Sequence, residues 1–332
     1  MRATLRWRLA RPHGRPWAGA FNVVMATAIV SIASHDAGLT VPSIVLMWLA
    51  VLAFAVLATL DVARARHPVT LLHRAERPDQ GFAALGFVAD TCVLGSRITT
   101  DGPVPHVIAT VLLVLGASVW LAIFAQLARS HAGGDLRAAR GEWLLAVVAT
   151  EGISILAAQL GILDRSHALI DISGAAWAVG GVLYLAIELL LVLRVRSRSL
   201  VPTDITPDVW IVMGALAIFA LGAASLIHAG RRTPENQLGV AAWFLAAAWI
   251  APLIAAEGWR WRRAGRPRFD VARWTMVFPL GMFSAASQAL GHALSASWMV
   301  SIGRGWLVLA LAAWTTLALG ELHHAFSPKR IS

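Results

Sequence analysis

Ten long apolar runs, divided by polar connectors, constrain this chain more than any motif in it. A helix needs about 20 apolar residues to cross a hydrocarbon layer at about 1.5 Å of rise per residue. Runs of that order lie at residues 17–34, 42–63, 81–96, 104–128, 143–162, 172–193, 209–228, 238–257, 274–292 and 298–322, the third being the shortest. With 58% hydrophobic and only 14% charged residues over 332 positions, the chain is too apolar for one water-soluble domain of this length. It reads as an all-α membrane protein forming a single transmembrane domain over residues 1–332. Residues 1–16 are expected to be a basic cytoplasmic N-terminus and 323–332 a short cytoplasmic C-terminus.

The charge supports that reading. Lys and Arg number 28 against 18 acidic residues, a formal net charge of +10. Alternate connectors collect nearly all of the excess: Arg2 to Arg15, Arg64 to Arg77, Arg129 to Arg140, Arg194 to Arg198, Arg260 to Arg273, and Lys329 with Arg330. The other side holds Arg97, Arg165, Arg231 and Arg232, with Arg304 in or near the last run. This is positive-inside asymmetry, and it predicts ten spans in the plasma (inner) membrane with both termini cytoplasmic. The basic charge is thus a topology signal first and an attraction for anionic lipid second; nucleic acid is not the expected partner. The single Cys92 lies within a span, so no disulfide framework or thiol metal site is expected. The Arg-rich lead and Ser31-Ile32-Ala33 also fit a cleavable leader. The length of the run, and its likeness to later ones, favour a retained first span.

A repeat runs through the chain. Each odd-numbered span opens on an aromatic residue and continues through small ones: Phe21 to Ser31, Phe82 to Gly86, Trp143 to Ser154, Trp210 to Gly214, and Trp274 to Gly291. The even spans are richer in Leu, Val and Trp. Ten helices therefore divide into five hairpins, each pairing a small-residue helix with a bulky one. Small residues let helices approach closely and leave room along an axis, while bulky ones face lipid. A solid bundle with no path through it satisfies the same composition. Many Trp residues at span ends, including Trp143, Trp210, Trp274 and Trp298, are expected as interfacial anchors. In the ninth span Pro279 has no N–H to offer the carbonyl of Thr275, so a helix there must bend, with Phe278 on the bend.

Phe21 to Ser31, followed much later by Trp274 to Gly291, resembles the tellurite-resistance and dicarboxylate transporter family, which includes plant slow anion channels and fungal malate and sulfite carriers. The resemblance extends over the whole chain in span number and in the order of small-residue spans. It implies five helical hairpins in a quasi-five-fold arrangement, odd helices lining a central pore, and a homotrimer. It also implies a gate at Phe278 beside Pro279. Where the family pattern leads one to expect Gly-Thr-Gly in the first helix, this chain has Ala26-Thr27-Ala28.

The function implied is a channel or carrier for small anions, of the tellurite, sulfite, chloride or nitrate, or C4-dicarboxylate class. The odd spans carry no Lys or Arg through their middles, which suits conduction, since an ion must leave as readily as it binds. Hydroxyls are the expected pore-lining donors: Thr27, Ser31, Thr150, Ser154, Thr275 and Ser284, with Gly214 and Gly281 giving room. Each hydroxyl can instead bond its own helix backbone. Asp90 and Glu151 lie eight residues after Phe82 and Trp143 and so at similar depth. Intramembrane carboxyls are functional candidates by default. Ionised and pore-facing, both would repel anions, so at least one is expected to hold its proton at neutral pH, which gives pH-sensitive or proton-coupled movement. Alternatively each holds the bundle together through a neighbouring helix. Glu188 and Glu257, nearer the cytoplasmic edge, are expected to snorkel or to pair with Arg194 or Arg260. No cofactor, metal ligand set or catalytic triad stands out, and no enzyme activity is expected. A membrane-embedded enzyme or sensor with a central cavity and no transport is the competing function.

Overall fold

The computed structural model describes residues 18–64, 78–101, 104–130, 140–197, 205–264 and 273–326. The basic N-terminal residues up to Trp17 and the C-terminal Lys329 and Arg330 lie outside them. Each apolar run becomes one helix: α1 Ala18–Asp36, α2 Thr40–Arg64, α3 Pro78–Ile98, α4 Val104–Ser130, α5 Leu145–Leu163, α6 His167–Ser197, α7 Ile211–His228, α8 Glu235–Ala264, α9 Trp274–Ala293 and α10 Ser297–Phe326. The shortest run, 81–96, belongs to a 21-residue helix like the others. Short 3₁₀ turns, Gly141–Leu144 and Pro207–Trp210, lead into α5 and α7.

Consecutive helices pack as five hairpins, and the odd helices then close on one another in the order α1, α3, α5, α7, α9 and back to α1. Among the described residues the extensive contacts between odd helices are all between ring neighbours. The even helices form an outer layer without packing on each other; each lies on its hairpin partner and leans on the next odd helix, α2 on α3, α4 on α5, α6 on α7, α8 on α9 and α10 on α1. The same lean at all five positions gives the molecule one rotational sense.

The division of composition follows from this layering. Inner helices run 18–21 residues, near the bilayer minimum, whereas outer helices run 25–31 and expose Leu, Val, Ile and Trp along their length. Seven of the ten helices are long and apolar enough to cross a membrane on their own composition; α1, α3 and α9 are not among them. These three belong to the inner ring, whose walls are other helices, so they tolerate Asn22, Asp90, Arg97 and Gln288.

Four hairpins turn on the same backbone device. A residue with positive φ ends the inner helix, Gly38, Arg165, Gly230 and Ser295. The next N–H closes a six-residue bond to Ser34, Gly161, Leu226 and Gly291 respectively, at 2.7–3.0 Å. These turns give a common origin for counting depth along α1, α5, α7 and α9.

A second repeat was invisible in the sequence. Each outer helix reaches the next inner helix through an aromatic. The indole N–H of Trp314 on α10 donates to Thr27 Oγ1 on α1 (3.0 Å), Trp120 on α4 to Thr150 Oγ1 on α5 (2.8 Å), Trp177 on α6 to the Phe219 carbonyl on α7 (3.0 Å), and Trp243 on α8 to Ser287 Oγ on α9 (2.7 Å). Between α2 and α3 the link is Phe54 stacked on Phe87. The interfacial-anchor expectation is corrected for three Trp residues. Trp143, Trp210 and Trp274 are buried at the start of α5, α7 and α9, with Trp143 stacked on Phe82 of α3. They belong to the packing between inner helices, because the helices they lead are enclosed by the outer layer. Trp298 remains half exposed at the start of α10.

Candidate functional site

Side-chain contacts fix the rotational phase of every inner helix, and hence which residues turn to the ring interior. On α1, Thr27 and Ser31 face α10 and α2, Phe21 meets Phe87 of α3, and Ile29 with Val30 flanks Gly281 of α9. At 100° per residue the remaining arc carries Asn22 and Ile29. On α3, Phe87 faces α1 and α2 while Cys92 faces Gly116 of α4 and Gly152 of α5, leaving Gly86 and Val93. The same reasoning leaves Val148 and Ile155 on α5, Gly214 and Leu221 on α7, and Phe278 and Ala285 on α9.

Depth counted from the turns sorts these residues into layers. Asn22, Val148, Gly214 and Phe278 lie sixteen or seventeen residues before their turn residue, and the contact of Phe21 with Phe87 sets Gly86 beside Asn22. Seven residues further along, about 10 Å by helical rise, come Ile29, Val93, Ile155, Leu221 and Ala285. Another seven on, at the hairpin-turn end, are Asp36, Thr100, Ile162, His228 and His292. The last layer is exposed or half-buried, and Ile32, Gln159, Ser225 and Ala289 just below it are half-buried. The middle layer is buried and wholly apolar, and Phe278 is fully buried. Exposure of the interior-facing residues therefore falls from the turn end to an apolar belt.

The Phe278 layer is uneven. A Cβ at Gly214 would come within 3.3 Å of Phe278 Cε1 and 3.0 Å of Pro279 Cγ, so the α9 pair fills the space that a side chain on α7 would take. Glycine at 214 is a seat for the ring. At Gly86 the reverse holds: the residue is buried, yet a Cβ there would have no heavy atom within 4 Å. Enclosed space borders α3 at this depth. The α9 helix runs through Pro279 unbroken, and Gly281 one turn from Phe278 lets α9 close on Ile29 and Val30 of α1.

The hydroxyls expected along the interior are spent at the seam between the layers. Ser31 donates to the Ser43 carbonyl of α2 (2.6 Å), Ser154 to the Ser173 carbonyl of α6 (2.9 Å) and Ser284 to the Gly303 carbonyl of α10 (2.7 Å). Thr27 and Thr150 donate to Val23 and Ala146 on their own helices while accepting the indole N–H bonds above. A hydroxyl needs an acceptor, and in a lipid-facing seam a helix carbonyl is the one available. Thr275, one turn from Phe278, is buried near the start of α9.

The two carboxyls are buried against neighbouring helices. Glu151 is fully buried between α5, α6 and α7, so tightly that a Cβ at Gly180 would lie 2.0 Å from Oε1 and one at Gly222 would lie 2.7 Å from Oε2. Trp177 adjoins the same seat. Asp90 is fully buried beside the Met25 backbone at the α1–α3 seam. Neither carboxyl has a hydrogen bond of ordinary geometry among the described residues. They do not form a pair: Asp90 faces α1 and Glu151 faces α6 and α7. Glu257 accepts from Arg260 and, at 2.8 Å, from Trp261 Nε1 on α8, as the sequence suggests. Sequence reasoning missed Arg97. Fully buried at the end of α3, it donates to Ser31, Ser43 and Thr100, tying α3 to the first hairpin.

Five short inner helices close into a ring sheathed by five longer ones. The model of the voltage-dependent anion channel family matches residues 17–322. The chain belongs to that family. It is also similar to the uncharacterised membrane proteins MT1776 and Rv1735c from two strains of Mycobacterium tuberculosis. Each is 36% identical over 152 residues, a stretch covering 43% of this chain and 76% of the relative. Among the described residues no cluster of His, Cys, Asp or Glu could hold a metal ion.

Proposed function

We propose that the ring interior is a conduction path for small anions, shut in this conformation by Phe278 over the apolar belt of Ile29, Val93, Ile155, Leu221 and Ala285. The observation that carries this reading is the seat of Phe278: its ring lies at the interior, fully buried, against a glycine with no room for a side chain. A phenyl ring held by one neighbour's missing Cβ opens the path by changing rotamer or by a small straightening of α9 at Pro279. Apolar constrictions of this kind gate by expelling water.

The same walls set the substrate class. The interior-facing residues of the Phe278 layer and of the belt carry no charge. Stripping water from an ion is then offset only by dipoles, which suits weakly hydrated monovalent anions and disfavours dicarboxylates and other divalent species. Nitrate is expected to pass better than chloride, and chloride better than malate or sulfite.

Purified protein in liposomes, read by anion flux, tests both statements. Phe278→Ala is expected to raise flux by about tenfold or more, the gain from removing an apolar plug. A folded, inserted Phe278→Ala protein with flux no greater than the parent would refute the gate. A preference for malate over nitrate would refute the neutral-wall reading of selectivity.

A further inference from the structure

We infer that Asn22 coordinates the permeating anion, in an enclosed site at the depth of Phe278 bordered by Gly86; this rests on the conduction reading above. Five residues face the interior at that depth: Asn22, Gly86, Val148, Gly214 and Phe278. Phe278 and Pro279 occupy the α7 side, over Gly214. The α3 side is open, because Gly86 is buried without any heavy atom near a would-be Cβ. Since α1 packs directly on α3, that space lies alongside Asn22.

Asn22 suits the space chemically. Its side chain is 7% exposed, and no hydrogen bond ties it to another described residue. Its amide atoms are not sealed against protein, so they border open space rather than a neighbouring helix. Its NH₂ offers two donors and no charge. Two N–H groups aimed into an enclosed space bind a chloride-sized or planar monovalent oxyanion such as nitrate without holding it as a guanidinium would. Weak binding of that kind is what conduction requires. The belt offers no equivalent, being apolar, and the hydroxyls of Thr27, Ser31, Ser154 and Ser284 are already bonded. Asn22 thus supplies the donor at the narrow part of the path, and Gly86 supplies the room.

The experiment uses the full chain in liposomes with Phe278→Ala as the conducting background. Nitrate and chloride permeabilities are compared for Asn22→Ser, Asn22→Ala and Asn22→Asp. The expected result is a severalfold change in the nitrate-to-chloride ratio for Asn22→Ala, a smaller one for Asn22→Ser, and an anion flux about tenfold lower for Asn22→Asp from the carboxylate placed in the path. Unchanged ratios and flux in all three, while Phe278→Ala conducts, overturn the assignment of Asn22. A silent Phe278→Ala in folded, inserted protein overturns the conduction reading itself, so the two failures are distinguishable.

A second readout does not need flux. The chain has one cysteine, the buried Cys92. In a Cys92→Ala background, Asn22→Cys is expected to react with a small anionic thiol reagent, and nitrate is expected to slow the reaction. A thiol at position 22 that does not react in folded Phe278→Ala protein overturns the site even where the Asn22 flux variants are poorly expressed.

Discussion

At the scale of single residues, Glu151 shows how the site was built and how it can be tested. Its carboxyl fills the space that side chains at Gly180 and Gly222 would need, so the three positions form one unit. Gly180→Ala places a Cβ on Oε1 and is expected to destabilise the protein by about 1–3 kcal/mol through overpacking. Glu151→Ala removes the obstacle. The double variant is then expected to recover most of the loss, as a positive coupling in a double-mutant cycle read by thermal unfolding in detergent. Additive losses would mean that the carboxyl moves aside and the seat is not rigid. Function enters through the same seat. We propose that any pH dependence of flux acts through the packing of Glu151 and Asp90 against neighbouring helices, Glu151 being seated between α5, α6 and α7. Glu151→Gln keeps the shape and fixes the neutral form. Its flux is expected to vary less with pH than the parent's, with the Glu151 part of the response held at its acid-limb value. A pH profile unchanged in both Glu151→Gln and Asp90→Asn removes both residues from the response.

At the scale of elements, the indole links are the means by which hairpins recognise their neighbours. Polar bonds between helices in membranes average about 0.6 kcal/mol and reach about 1.7. Replacing Trp314, Trp120, Trp177 or Trp243 by Phe keeps the aromatic bulk and removes only the N–H. Each single change is expected to be small. The seams are separate, so the four together are expected to add to about 2–3 kcal/mol, measured as loss of thermal stability. A loss concentrated in one variant would show that a single seam holds the ring.

These links also mark where sequence reading stopped. The ten helices and their pairing were legible, because span length and small-residue patterning follow from the bilayer and from close packing. The helix-interior Pro279 was legible from sequence, and the interest of Phe278 came from the family resemblance; that Gly214 seats the Phe278 ring was not legible, because the pairing of α7 with α9 at that depth has no local pattern. The facing of Thr27, Ser31, Thr150, Ser154 and Ser284 was not legible either. A hydroxyl in a small-residue helix has the same local pattern whether it faces a pore or a neighbouring carbonyl, and only the outer helix's position decides. Asn22 was passed over for a related reason: one amide near a span end has no pattern until five helices share a common depth.

At the scale of the whole molecule, closure of the ring makes its five seams equivalent, and the covalent order of the hairpins matters less than the seams. The boundary between the second and third hairpins is held by α3 on α5 and α4 on α5, through Phe82 stacked on Trp143, Trp120 bonded to Thr150, and Gly152 close against Cys92. The boundary between the fifth and first hairpins is held in the same manner without any chain connection, by α9 and α10 against α1. That unlinked seam is the natural control: contacts alone already keep it shut. Cutting the chain between Ser130 and Arg140 therefore creates a second seam of a kind the protein already has. The two fragments, produced together, are expected to co-purify and to restore the flux of the Phe278→Ala protein in liposomes. Either fragment alone exposes two open seams lined by small residues and bonded hydroxyls, and is expected to be degraded or aggregated. Adding Trp120→Ala to the split protein weakens the cut seam specifically, and it should reduce recovery far more there than in the intact chain, where the connector keeps the partners at high effective concentration. Fragments that never associate would show that the connectors, and not the seams, hold the ring together.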